Sequence, residues 1–214
     1  DKGICGTMIY RNQWDKVNGA PNSAILNVEA NMSQWLPINL GLSMFHDAIG
    51  FARQNNAMLN IMYPQQLGRA GTLAAGVGVG IINFSMNPDW ITPTDPVTMD
   101  QSLSANKTSG TNIDLNFGLY WKSFNSKAYA GISSTHLSES VVSEVFFSSA
   151  RHYNLMGGYK FDMGSNGNIL DVQAMVRTDL VKFSTDINAR YFFMNNRVYG
   201  GLTYRTSDAV AVMV

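Results

Sequence analysis

The sequence predicts an all-β chain, a transmembrane antiparallel β-barrel of the outer membrane. Three observations predict it. The first is a period-two alternation that recurs in segment after segment and never gives way to a helical period. Around 114–122, Leu115, Phe117, Leu119 and Trp121 fall on one face, and Asp114, Asn116, Tyr120 and Lys122 on the other. At 172–179, Val172, Ala174 and Val176 oppose Gln173, Arg177 and Asp179. At 183–191, Phe183, Ile187, Ala189 and Tyr191 oppose Ser184, Asp186, Asn188 and Arg190. The second is composition: 45 % of residues are hydrophobic but only 14 % are charged, against roughly 25 % in soluble domains. The polar side is built from Asn, Ser, Thr and Gln, which suits a lumen or loops better than a charged globular surface. The third is segment length, near ten residues, which is what crosses a bilayer when a strand is tilted. A soluble β-sandwich poor in Lys would share the low charge, so periodicity and length carry the prediction.

Twelve strands are expected in order, at 4–14, 22–31, 37–46, 53–63, 72–84, 111–122, 127–136, 151–161, 169–179, 182–193, 197–205 and 208–214. The connections alternate in character. Those at 32–36, 64–71, 123–126, 162–168 and 194–196 are short and rich in turn formers, as in Met194-Asn195-Asn196. Longer ones at 15–21, 47–52, 85–110 and 137–150 interleave with them. Transmembrane barrels have short periplasmic turns and longer outside loops. The alternation therefore puts the chain start in the periplasm and the 85–110 link outside, although the tight links near Leu180-Val181 and Thr206-Ser207 break the rule. The 85–110 link is the longest, with Pro88, Pro93 and Pro96 beside Asp89, Asp95 and Asp100; such a loop carries function or is disordered. The last strand stops at Val214 without the aromatic terminal residue expected of a complete outer-membrane barrel. An open barrel would leave two edges in lipid, each exposing backbone groups that cost several kcal/mol apiece. One barrel domain over 1–214 is expected, with about twelve strands here and fourteen in the complete protein.

Net charge is zero, from 15 basic and 15 acidic residues, and no basic run exists, which argues against nucleic acid as a partner. The single cysteine, Cys5, excludes an internal disulfide. No apolar segment precedes it, which argues against a lipidated N-terminus. No window approaches 18 uninterrupted apolar residues, so no transmembrane helix is expected. No signal segment is visible, and an exported barrel must have had one, so the chain is expected to be mature or trimmed.

Chemical motifs are sparse. Gly76-Val77-Gly78-Val79-Gly80 looks like a fragment of a nucleotide-binding loop, but no helix to hold a phosphate follows it. A strand with glycines on its inner face, leaving room for a bulky neighbour, is the expected form. His46, His136 and His152 do not lie at metal-ligand spacing. His152 shares a strand face with Asn154 and Lys160, near Ser148 and Ser149, and is read as lumen lining before catalysis. No catalytic, cofactor or metal residues are assigned. Arg11, Glu29, Asp114, Arg177, Asp179, Asp186, Arg190 and Arg205 lie on or near the polar face, where paired charges can fill or wet an interior. Arg11 is expected to be neutralised by Glu29 on the adjacent strand.

Four stretches resemble signatures of the PorP/SprF family of type IX secretion membrane proteins. They are Tyr10-Arg11-Asn12-Gln13-Trp14 with Gly19-Ala20-Pro21; Ile38–Ser43 with His46–Gly50; Arg151-His152-Tyr153-Asn154-Leu155 running into Gly157-Gly158-Tyr159-Lys160-Phe161; and Tyr204-Arg205-Thr206-Ser207-Asp208-Ala209-Val210. Their order and spacing agree along the chain. Two departures stand out: the family's upstream segment and its strands beyond the Asp-Ala-Val signature are absent. The resemblance implies a bacterial outer-membrane barrel of the type IX secretion and gliding machinery, without enzymatic activity or cofactor. It implies partners in the periplasmic lipoprotein ring and its subunits, in secreted adhesin cargo and in outer-membrane lipid. The alternative is a general or substrate-specific porin, which the same polar lumen would serve.

Overall fold

The computed structural model describes residues 3–88, 106–139, 141–142, 147–164 and 167–214. Most of the expected 85–110 link, including Asp89, Pro93, Asp95, Pro96 and Asp100, lies outside them. The described strands, in chain order, are β1 (Ile4–Asn12), β2 (Asn22–Asn31), β3 (Asn39–Ile49), β4 (Ala52–Gln66), β5 (Thr72–Met86), β6 (Thr108–Lys122) and β7 (Ala128–Thr135). There follow β8 (Val141–Val142), β9 (Phe147–Ser148), β10 (His152–Met163), β11 (Asn168–Thr178), β12 (Phe183–Phe193), β13 (Val198–Arg205) and β14 (Ala209–Met213). Twelve of them form one sheet in the order β1-β2-β3-β4-β5-β6-β7-β10-β11-β12-β13-β14, and β8 pairs β9 separately. The sheet is antiparallel, as an all-β chain of consecutive hairpins requires. All twelve expected strands are present; the β8–β9 hairpin inside the expected 137–150 loop was not foreseen. Among the described residues the only helical element is a 3-10 turn, Gly68–Ala70, and no helix is long and apolar enough to cross a membrane.

The chain divides into two compact units. The first comprises Asp1–Ile61, Val77–Leu115 and His136–Ala150. Here β1 pairs β2 with Tyr10 opposite Ala24 and Arg11 opposite Ser23, and β2 pairs β3 with Ser23 opposite Asp47. Alternation then gives one face Tyr10, Ala24, Leu26, Leu42 and Met44, and the other Arg11, Ser23, Glu29 and Asp47. On the second, inner face Ser23 Oγ donates to Asp47 Oδ1 at 2.5 Å, and Asn60 Nδ2 donates to Ser43 Oγ at 3.0 Å. The glycine run forms part of β5, as expected, with its glycines on this inner face. A Cβ at Gly80 would collide with Met58, so the missing side chain is what lets Met58 lie buried.

The link between β3 and β4 is only residues 50–51, and the expected long connection at 47–52 is corrected. Asp47 looks like a loop residue, but its carboxylate belongs to the polar face of β3, where Ser23 holds it. Gly50 supplies the left-handed turn, with φ 56°. The expected pairing of Arg11 with Glu29 is also corrected. Glu29 stands opposite Cys5, six positions along the ladder from Arg11, or roughly 20 Å at about 3.3 Å per residue.

The second unit comprises Met62–Gly76, Asn116–Thr135 and Arg151–Val214. Its outward face is aliphatic in the middle, with Leu119, Ile132, Leu155, Val172, Ile187 and Leu202. Leu155 is 57 % and Leu202 56 % exposed, which no water-soluble sheet would leave uncovered. Aromatic side chains bound this band along individual strands: Tyr153 then Tyr159 and Phe161 on β10, and Phe183 then Tyr191 and Phe193 on β12. From Phe183 to Tyr191 is roughly 26 Å at about 3.3 Å per residue, close to the height of an apolar band between two aromatic girdles. The inner face is polar, and its most buried charged groups are Asp171, 2 % exposed, and Asp186, 8 % exposed. Greasy residues outside and carboxylates inside invert the burial of a soluble fold.

Candidate functional site

The inner face of the second unit carries two carboxylate centres, each set by strand register. Asp171 on β11 stands opposite Arg190 on β12, and Arg190 Nη2 donates to Asp171 Oδ2 at 2.9 Å. The other carboxylate oxygen accepts from the Tyr129 hydroxyl at 2.8 Å, and Gln173 Oε1 lies 3.0 Å from that hydroxyl. Asp186 on β12 stands opposite Arg205 on β13. Arg205 Nε donates to Asp186 Oδ1 at 2.7 Å, and Arg177 Nη2 reaches Oδ2 from the other side at 2.5 Å. Arg205 Nη1 also lies 3.4 Å from Asp208 Oδ2. A carboxylate out of water needs charge-assisted donors, and here neighbouring strands provide them. The consequence is mechanical: β11, β12 and β13 are tied across their inner face by ion pairs as well as by the ladder.

Tyr129 reaches Asp171 by crossing a whole strand. Gly158 on β10 is opposite Tyr129 on one side and Gln173 on the other. A Cβ at Gly158 would lie 2.9 Å from Tyr129 Cε2 and closer still to its Cζ and hydroxyl oxygen. The glycine is thus the gap through which the phenol passes. Sequence reasoning placed Gly158 in a signature and Gln173 on a polar strand face, and missed Tyr129 and Asp171. The available signal was a glycine on a strand face whose flanking residues, Met156 and Lys160, both carry long side chains.

In the first unit Asp114, 2 % exposed, is a third carboxylate centre. His136 Nδ1 lies 2.8 Å from Asp114 Oδ2, Ser138 Oγ donates to the Ile113 carbonyl at 2.9 Å, and Leu137 N donates to the Leu115 carbonyl at 2.9 Å. Asp114 therefore pins the start of the segment after β7. Among the described residues no group of His, Cys, Asp and Glu could hold a metal ion.

The signature residues fall into local structural sets. Tyr10 faces outward on β1. Trp14 is not on that strand: it sits in the following turn at φ 51°, and its carbonyl accepts from Val17 N at 3.0 Å. Gln13 N donates to the Pro21 carbonyl at 3.0 Å. With the Gln13 amide oxygen turned toward Arg11, it accepts from Arg11 Nε and Nη2 at 2.8 Å, so an amide takes the place foreseen for Glu29. Gly19, at φ 73°, offers its carbonyl to Gly50 N at 2.9 Å. Arg11, Gln13, Gly19 and Pro21 thus build the first turn. Arg151 immediately precedes β10. His152 stands opposite Thr135 and Tyr153 opposite Ser134, and the Tyr159 ring packs 4.7 Å from that of Phe161. Asn154 Nδ2 donates to Ser133 Oγ at 3.3 Å. Tyr204 faces outward opposite Ile187, while Arg205 and Asp208 meet at the Asp186 centre. Asp179, expected on the polar face of a strand, lies instead in the turn after β11.

An antiparallel sheet with an aliphatic outward band, aromatic ends and arginine-bound carboxylates within defines the class of strand-built membrane proteins. Residues 2–214 match the family described as type IX secretion system membrane protein PorP/SprF, and the chain belongs to that family, whose fold is a membrane β-barrel. No curated protein and no solved structure matches the chain.

Proposed function

We propose that the protein is an outer-membrane component of the type IX secretion and gliding machinery that acts without enzymatic activity. It docks the periplasmic lipoprotein ring and ring subunits through its short turns, and assists export and surface attachment of adhesin cargo through the opposite links. Family membership supports the machinery, and the engagement of Asp171 and Asp186 by arginines supports a scaffold over a reactive site. The observation that carries docking is apolar exposure on the turns of the second unit: Phe124 is 77 % and Met194 67 % exposed. A turn that only reverses the chain is served by Gly, Asn and Ser, so an exposed phenyl ring and an exposed thioether on two such turns support contact with a partner. Because a stable interface buries at least about 1,200 Å², several turns must act together.

Small epitopes inserted separately at 65–68, 123–126 and 164–167 are expected to weaken co-purification of the ring by degrees, and insertion at 95–105 to leave it intact. Loss of the ring from the 95–105 insertion alone, with the protein folded, would overturn both the orientation and the docking. A porin is the second reading, favoured by the partly wetted Arg177, Arg190 and Arg205 on the inner face. A steady ion-selective current across a planar bilayer would support it, and silence would remove it.

A further inference from the structure

The outward face of the first unit is not uniformly apolar. At the end nearest the 13–21 turn, register sets Asn12 opposite Asn22 and Asn22 opposite Ala48, one step above Tyr10, Ala24 and His46. Arg53 lies on the same face of β4, two residues before Asn55, whose Oδ1 is 2.7 Å from His46 Nδ1. Two concavities follow one another down this face. The upper, of about 320 Å³, is lined by Asn12, Asp15, Lys16, Asn22 and Arg53 among others. The lower, of about 300 Å³, is lined by Met8, Leu26, Met44, Ala57 and Ile81, with His46 and Asn55 at its polar end. Each is at the lower end of the roughly 300–1,000 Å³ of small-molecule sites.

The chemistry of the pair is polarised. Lys16 and Arg53 form no ion pair among the described residues, and with the single carboxylate of Asp15 they leave the upper concavity net positive. The lower one is apolar, with the short side chain of Ala57 opening its floor. A soluble anion would fill only the upper part and an apolar peptide only the lower. A molecule with an anionic head and a hydrocarbon tail fills both. The same face of this unit carries the exposed Leu26, Leu42 and Met44 below the cations, and cations at the edge of an apolar, lipid-facing surface attract anionic headgroups. We propose that this outward groove is a binding site for one anionic, phosphate-bearing membrane lipid, its phosphate between Lys16 and Arg53 and one acyl chain over Ala57. The proposal requires only that this face meets lipid, and stands whether or not the turns dock a ring.

The test uses the full chain in detergent, titrated with phosphatidylglycerol or phosphatidylcholine of identical chains and read by native mass spectrometry. One phosphatidylglycerol should be retained about thirtyfold better than phosphatidylcholine, roughly what two headgroup-contacting cations provide at about 1 kcal/mol each. Lys16→Ala with Arg53→Ala should bring the two lipids to parity. Arg53→Gln alone, which leaves the turn intact, should remove part of the preference. Ala57→Trp, which fills the lower groove, should weaken both lipids alike. Equal retention by the unaltered protein, or an undiminished preference in both charge variants, would overturn the proposal. So would displacement of the lipid by equimolar inorganic phosphate, which would show a site for a free anion only.

Discussion

Gly158 and Tyr129 show how one residue's absence of a side chain becomes another's hydrogen bond. Gly157, next to it, faces outward, and a Cβ there would meet only the Tyr129 carbonyl at 3.7 Å. Gly158→Ala is therefore expected to destabilise the protein by about 1–3 kcal/mol, the scale of overpacking, and Gly157→Ala to have little effect, as thermal unfolding in detergent will show. Tyr129→Phe keeps the ring and removes the donor, at about 1–3 kcal/mol for a buried acceptor left short of a partner. Equal melting of the two glycine variants would disprove the crossing phenol. A related expectation concerns Asp186. Asp186→Ala leaves Arg177 and Arg205 facing each other with no anion between them, and should cost about 3 kcal/mol, the low end for breaking a buried pair, because both guanidiniums remain partly wetted. Arg205→Ala should cost less, since Arg177 still serves the carboxylate. The faces of Asp186, Arg177 and Arg205 were legible in the sequence, because period two fixes them. Their pairing was not, because partners depend on register between strands, and Arg11 with Glu29 shows the error that follows.

Turns carry the same contrast at the scale of elements. Strand existence was legible throughout, since alternation over ten residues is a strong signal; strand ends were not. β4 runs on past Pro64, and β6 begins at Thr108, because short polar segments can extend a ladder without a hydrophobic pattern to announce it. The turn after β11 depends on one side chain. Asp179 Oδ1 accepts from Lys182 N at 2.7 Å and from Val181 N at 3.0 Å, and Leu180 between them is left-handed at φ 69°. These backbone donors, Lys182 first, hold the Asp179 carboxyl below the usual carboxylate range. A depressed folded-state value means support that is complete above the ordinary range and disappears as pH falls through the folded value. The Val181 and Lys182 amide resonances should accordingly shift together on acidification, and in Asp179→Asn neither should titrate. Independence of these amides from pH in the unaltered protein would show that the carboxylate does not organise the turn.

At the scale of the whole molecule, what distinguishes the chain is where its few charges go. With 14 % charged residues, covering a water-facing surface is out of reach, and Asp114, Asp171 and Asp186 are buried on inner faces instead. That inversion was legible from composition and alternation before any partner could be named, because a membrane constrains which face is apolar more strongly than it constrains any individual contact. Leu119 and Asn116 test it within one strand. Leu119 lies outward opposite Ile132, and Asn116 belongs to the inner face with Asp114. An arginine at mid-membrane on the lipid side costs about 2–4 kcal/mol, and its cost falls toward the interfaces. On the inner face a guanidinium meets polar neighbours and other charges already present. Leu119→Arg should therefore sharply reduce the folded fraction recovered into lipid vesicles, measured by the gel mobility of unheated samples, while Asn116→Arg is recovered nearly as well as the unaltered protein. Equal recovery of the two would mean that the outward face of β6 does not meet hydrocarbon, and the membrane-spanning reading of that strand would have to be given up.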